Sequence, residues 1–286
     1  MKAGDDPKAY VLSADELRKL QLLLLDVLVE IDRICKKYGI KYMLDGGTLL
    51  GAVRHGGFIP WDDDLDIVML RSEYEKLREA CKAELNPKRY FFQDHSTDPN
   101  YPWGYGRIRV VDSEFIRLGQ EHLKMKTGIF LDIFIRDNAP IGNIQQAIFS
   151  LYCFALRKIL YSCVGKISEK NTVKRIGYKV INVIPHEFVF ACIKNLADRM
   201  NSKKTGFVRN YTFSVVSHKK GVYAYPREWF SEIYEDPSIY FEGYIFPISR
   251  FYKNYLEFVY GNYMELPPRE KRRGHPCSKF KLPANL

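Results

Sequence analysis

No two of the six cysteines in this 286-residue chain stand in a C-x-x-C spacing, so the sequence offers neither a zinc knuckle nor a disulfide-stapled framework. A reducing compartment is the expectation, and the chain is read as cytoplasmic. The opening stretch, MKAGDDPKAYVLSADEL, contains no apolar h-region and so does not read as a secretory signal. Internal repeats and low-complexity runs are missing too, which argues against solenoids and disordered tails. The longest apolar stretch, Ile144 to Val164, carries Arg157 and Lys158 near its middle. Charges there are costly at a bilayer centre, so this stretch is expected to be a buried helix and not a membrane span.

What is present is an ordinary globular balance, 46% apolar and 27% charged. The formal charge of +10 points to an anionic partner such as nucleic acid, nucleotide or phospholipid. Twenty Tyr and eighteen Phe could offer base-stacking platforms, or simply core. A nucleic-acid-binding module would need an RNP, KH or zinc-finger pattern, and none is found, so no nucleic-acid partner is expected.

Ser13 with Glu16 forms a capping box, and Leu17, Leu20, Leu24, Leu28, Ile31 and Ile34 recur at helical spacing up to Gly39. A strand over Ile40 to Leu44 follows, then a turn at Asp45 to Gly47 and a helix from Thr48 to Val53. A strand from Leu65 to Leu70 precedes a helix from Ser72 to Glu84, with Ser72 as N-cap. Tyr90 to Gln93, Gly106 to Val111, Glu114 to Leu118 and Ile129 to Ile135 are further strands. This alternation predicts an α/β (α+β) class over 1–140. Beyond a boundary near residue 140, helices are expected over Ile144 to Val164, over Val173 to Met200 with a break at Pro185, and over Ser249 to Tyr260, ahead of a basic, Pro-rich tail.

The chemistry concentrates in LDGGTLLGAVRHGGFIPWDDDLDIVML. Asp62, Asp64 and Asp66 alternate, so on an extended chain they share one face. Three carboxylates side by side repel unless a divalent cation neutralises them, and hard oxygen ligands favour Mg²⁺ or Mn²⁺. Gly46 and Gly47 permit a tight turn, and the helix that follows would offer N–H groups to a phosphate. Asp132, inside the apolar run GIFLDIFI, is a strand-embedded charge that needs a partner or a metal. The competing account is a solvated acidic loop beside an ordinary turn.

These residues resemble the LicD family, a branch of the nucleotidyltransferase superfamily that includes the fukutin-related proteins. DGGTLLGAVRHGGFIPWDDDLDI resembles the family signature, FLDIF its third-carboxylate strand and YGNYMELPPREKRRGH its C-terminal block, so the similarity runs from about residue 20 to 276. FLDIFIRD departs from the pattern with Ile135 and Arg136, YGNYM with Asn262, and FPISR in lacking a second Pro.

The resemblance implies a nucleotidyltransferase-fold mixed sheet flanked by helices, with a mainly helical region over 141–286 completing the substrate cleft. It gives Gly46, Gly47 and Thr48 the turn-and-helix role, Asp64 and Asp66 the metal pair, Asp132 the third carboxylate, and Asp62 a further ligand. It further implies transfer of phosphocholine from CDP-choline to a hydroxyl of a cell-surface glycan (teichoic acid, lipopolysaccharide or capsule precursor), releasing CMP. Another CDP-alcohol donor (ribitol, glycerol or ethanolamine), or nucleotidyl transfer to a small molecule, is the alternative. The partners would be the donor and a glycan or lipid-linked glycan.

Arg54, Arg107 and Arg109 are candidate phosphate clamps, with surface arginine as the rival reading. A choline group would need aromatic faces, and Trp61, Tyr101, Trp103 and Tyr105 are the candidates, with core packing as the rival. His55 and His275 could touch a phosphate, although an exposed or capping role is the plainer reading. Cys277 beside His275 has no further ligand pattern for zinc. The tail KRRGHPCSKFK could meet a nucleotide or the inner face of a membrane, or be solvated.

Overall fold

The computed structural model describes residues 9–231 and 233–284, and within it the chain forms a mixed α/β structure around a seven-stranded sheet. Helix α1 (Ala14–Tyr38) starts where Ser13 and Glu16 close their capping box and stops where Gly39 turns left-handed at φ 61°. It buries Leu24, Leu28, Ile31 and Ile34 completely, each contributing roughly 1.5–3 kcal/mol of apolar transfer.

The sheet follows the order β1 (Met43–Leu44), β2 (Asp66–Leu70), β6 (Phe130–Ala139), β4 (Gly106–Val110), β3 (Tyr90–Gln93). Strands β2 and β6 run parallel with Asp66 opposite Asp132, and β4 runs antiparallel to β6 with Arg107 opposite Asp132. The far half of β6 continues the sheet through β7 (Phe207–Arg209) and β8 (Tyr225–Pro226). That extra pairing explains why β6 outruns the expected end at Ile135. Only Met43 and Leu44 of the expected first strand pair, against Val68 and Ile67.

Helix α2 (Gly46–His55) begins two residues earlier than expected, and α3 (Arg71–Glu84) starts directly after β2. Ser72 is therefore not the N-cap; Leu70 holds that place, with no side-chain capping bond. Strand β5 (Glu114–Arg117) pairs with β11 (Cys277–Lys281), so the tail read as solvated ends in a strand.

Helices α4 (Asn143–Ser168) and α6 (His186–Asn201) gather their own apolar cluster, including Leu156, Leu160, Val189 and Ile193, and α5 (Thr172–Ile181) packs on α4 through Tyr178. Pro185 separates α5 from α6, as its fixed φ and missing N–H require. After α6 the chain returns to the main core through β7, β8, α7 (Glu228–Ser231), the hairpin β9 (Ile233–Phe241) and β10 (Tyr244–Ser249), and α8 (Tyr252–Tyr260). Neither β7 and β8 nor the hairpin was expected; β7 and β8, of three and two residues, are too short to carry a period-2 signal.

Helix α4 corrects the sequence reading. It is long and apolar enough to cross a membrane, yet only 28% of its most apolar window is buried. Ile144, Ile148 and Leu151 are exposed. The stretch is helical as expected, but its N-terminal half leaves an apolar stripe bare.

Candidate active site

Four carboxylates converge because two strands end side by side. Asp66 opens β2, and Asp132 stands directly opposite it on β6. The Asp66 N–H donates to Thr48 Oγ1 at 2.9 Å, and the Asp66 carbonyl accepts from the Asp45 N–H at 2.9 Å, so the start of α2 grips this residue from both sides. Asp62 and Asp64 lie in the segment entering β2. Gln21 of α1, itself buried, donates to the Asp62 carbonyl at 3.0 Å and fixes that segment. A Cβ placed on Gly47 would stand 2.9 Å from Asp62 Oδ2, which is why the helix start there must be glycine if the carboxylate is to sit so close.

Asp62, Asp64, Asp66 and Asp132 line one cavity of about 750 Å³, shared with Arg107, Arg117, Lys158, Tyr260 and His275. Burial, followed by the neighbouring carboxylates, pushes Asp62 and Asp66 well above the ordinary carboxylate range. Burial also raises Asp64 and Asp132, with Arg117 opposing at Asp64 and Arg107 opposing at Asp132. Asp132 is bound by Arg107 through Nε at 2.5 Å and Nη2 at 3.3 Å. The electrostatics differ at Asp66, where the nearby charges are Asp64, Asp132, Asp45 and Asp62, all of one sign.

That imbalance is what a hard divalent cation relieves, and carboxylate oxygens are its preferred donors. Among the described residues the ligand atoms that already lie within 4.8 Å of one another belong to Asp63, Asp64 and His275. Asp63 is spent, however: it accepts from the His275 backbone N–H and sits against His275 Nδ1, both at 2.8 Å. This trio braces the acidic segment, with Arg117 bridging Asp63 at 3.8 Å and Asp64 at 3.2 Å. Asp62, Asp64 and Asp66 face the cavity and make the chemically suitable donor set.

The family model described as "LicD/FKTN/FKRP, nucleotidyltransferase domain" matches residues 39–145, which covers α2 and all four carboxylates. Over 273 residues the chain is 31% identical to the lipopolysaccharide cholinephosphotransferase LicD of Haemophilus influenzae, covering 91% of this chain and 95% of that protein. The chain belongs to the LicD family. It is also 43% identical over 214 residues to an uncharacterized Rickettsia prowazekii protein, covering 72% of this chain and 71% of the relative. A shorter match of 36% over 66 residues relates it to the human ribitol 5-phosphate transferase FKRP, covering 22% of this chain and 13% of the relative.

The remaining sequence-predicted residues of this LicD-family chain divide sharply. Trp103 and Tyr105 line the cavity, whereas Tyr101 is fully buried and Trp61 lies outside the lining, under Arg272. Arg54 turns away to donate to the carbonyls of Tyr263 and Glu265. Arg107 and Arg109 do share one face of β4, but Arg109 is one step further along, sealed against Gln93 and the Gly128 carbonyl. Gly46 takes φ 49° at the start of α2, and Gly47 reaches the cavity wall. His55 lies by Arg54 and Trp61, outside the lining. His275 is exposed, as the plainer reading expected, and it also lines the cavity. Cys277 is buried in β11.

Several residues at the site were not anticipated. Arg117, Arg157, Lys158, Tyr161, Phe134, Thr212, Phe213 and Tyr260 come from β5, α4, β6, the segment after β7, and α8. Arg136, noted as a departure from the family pattern, pairs with Asp45 at 3.1 Å beneath the rings of Tyr225 and Phe230, while the Tyr255 hydroxyl donates to the same carboxylate. The charge that looked anomalous in β6 thus has a buried partner at the N-cap of α2. Arg157 and Lys158, two charges inside an apolar helix, were the one visible signal for the α4 wall.

Proposed function

We propose that this chain transfers a phospho-alcohol, phosphocholine from CDP-choline, to a hydroxyl of a cell-surface glycan, and that it uses Mg²⁺ or Mn²⁺ to do so. The observation that carries this reading is a cavity lined both by carboxylates from two neighbouring strands and by aromatic rings. The likeness to a lipopolysaccharide cholinephosphotransferase supports it.

Asp62, Asp64 and Asp66 would hold the cation, which when bound supplies charge neutralisation at the donor's phosphate oxygens. The chain's own groups do the rest. Arg117, Arg157 and Lys158 present positive charge to the pyrophosphate. Asp132, oriented by Arg107, takes the proton of the acceptor hydroxyl. The acceptor oxygen forms a bond to the phosphorus bearing the alcohol as the bond to the bridging oxygen breaks, and CMP leaves with that electron pair.

A quaternary ammonium has no N–H to donate and gains from ring faces. Trp103, Phe134 and Phe213 line the cavity, and Phe134 lies tilted to Tyr105 at 4.9 Å and to Phe213 at 5.3 Å. Tyr161 and Tyr105 already lie under Lys158 and Arg107. Trp103, Phe134 and Phe213 are therefore the faces assigned to choline.

The test incubates the protein and Mg²⁺ with CDP-choline, CDP-ethanolamine, CDP-ribitol or CDP-glycerol and follows CMP by ³¹P resonance. CMP release from CDP-choline is expected, and Trp103→Ala should raise KM for that donor by about tenfold, the worth of one desolvated cation–π contact. Equal loss for all four donors would refute the choline assignment. Nucleotide retained on the product would refute phospho-alcohol transfer altogether.

A further inference from the structure

Half of the exposed large apolar side chains among the described residues lie between 141 and 188, in the helical part of the chain. Their arrangement on α5 is regular. Val173, Ile176 and Val180 follow i, i+3, i+7 spacing and are 78%, 55% and 64% exposed. Tyr178, the buried residue of α5, points the opposite way, close against Gly165 of α4. Lys174 and Lys179 flank the apolar stripe on either side at helical angles. Between 166 and 183 stand Lys166, Lys170, Lys174, Arg175 and Lys179 against the single acid Glu169, and none of these five bases is ion-paired within the described residues.

An aliphatic stripe open to water between bases of one sign is not an ordinary solvent face. Helix α6 shows the contrast: its exposed side mixes Lys194, Asp198 and Arg199, with Lys194 paired to Asp198 at 2.6 Å. A nucleic acid would use the lysines and leave the aliphatic stripe in water. A protein groove would use the stripe and leave a uniform positive charge unanswered. The headgroup layer of an anionic bilayer satisfies both at once.

We propose that α5, together with the bare stripe of α4, is the surface by which this chain rests on an anionic phospholipid membrane. The helices lie on the bilayer and do not span it. Arg157 and Lys158 sit in the middle of α4 and line the reaction cavity, and Lys158 Nζ donates to the Tyr178 hydroxyl at 2.9 Å. Drawing α4 through the hydrocarbon would pull both charges out of the site. Since Arg157, Lys158 and Tyr161 of the same helix line that cavity, docking places the cavity next to the lipid surface, where a lipid-linked substrate would be delivered. The proposal uses no catalytic residue and stands or falls independently of the donor assignment.

The test is flotation of the full chain with vesicles of equal phosphatidylglycerol and phosphatidylcholine, and with phosphatidylcholine alone. Binding to the anionic vesicles only, weakened by salt, is expected. Lys174→Gln with Lys179→Gln should weaken it roughly 25-fold, about fivefold for each lysine near the surface. Ile176→Ser with Val180→Ser should weaken it comparably with the charges intact. Circular dichroism and CMP release from the donor in the presence of a soluble acceptor should be unchanged in both, since these residues touch neither core nor cavity.

Absence of flotation would overturn the proposal. So would flotation that survives both α5 variants but is lost on Lys279→Glu with Lys281→Glu, which would put the contact on β11. A dimer dissolved by Ile176→Ser with Val180→Ser, with vesicle binding unaltered, would show that a second copy covers this face and would overturn it equally.

Discussion

Replacing Asp66 by Asn separates what this carboxylate costs the fold from what it does for the reaction. Asp66 is half-buried among the like charges of Asp64, Asp132, Asp45 and Asp62. Its folded pKa is raised, so the folded state holds the proton more tightly than the unfolded chain. Stability therefore falls as pH climbs from the ordinary carboxylate value of 3.8 through the raised folded pKa. A buried polar group without a partner costs about 1–3 kcal/mol, and the lower end applies because this carboxylate opens on the cavity. Asp66→Asn should thus raise the metal-free melting temperature by about 2 °C. Adding Mg²⁺ at a hundredfold excess over its Kd should stabilise the wild type by about 2.7 kcal/mol, or roughly 5 °C. The variant should show little of that gain and transfer at least about a hundredfold more slowly. Calorimetry with and without Mg²⁺ reads both effects. A variant that melts lower without metal, or gains as much from Mg²⁺ as the wild type, would refute the argument that Asp66 is an uncompensated charge awaiting a cation.

Arg107→Met should cost about 3–5 kcal/mol in urea unfolding, because Asp132 is left buried and unpaired, and adding Asp132→Asn should restore part of the loss. Gly47→Ala should slow transfer about tenfold or more by displacing Asp62, while stability holds or rises by up to about 1 kcal/mol, as expected of Ala for Gly in a helix. An unchanged rate would show that the Asp62 position is immaterial. Burial pushes Asp63 up to about 6, so this group contributes a loss of stability as pH rises from about 4 to 6, on the order of 2–3 kcal/mol. Asp63→Asn should flatten that part of the stability profile, and an unaltered slope would assign the titration to another group.

Much of the local structure was legible because its causes are local. The capping box at Ser13 and the glycine at 39 bound α1 on both ends. The alternation of Asp62, Asp64 and Asp66, and the lone charge of Asp132 in an apolar run, announced a carboxylate site before any fold was known. The α4 segment was legible as a helix but not as an exposed one. A sequence that is apolar all round does not say whether a protein or a lipid covers each side, and α5 with its ten residues is too short to cover the whole of α4.

The sequence by itself determined which residue types recur at period 2 or 3.6, and hence the strands, the helices and the acidic segment. Only the tertiary structure decided which side chains meet. The pairing of β4 with β6 places Arg107, and not Arg109, opposite Asp132. Strand β11 brings His275 back across 212 residues to Asp63, and β5 carries Arg117 across 53 residues to Asp64. Register between distant strands is set by the packing of whole elements, and a one-step shift would exchange the buried and cavity-facing partners. No local pattern encodes that choice.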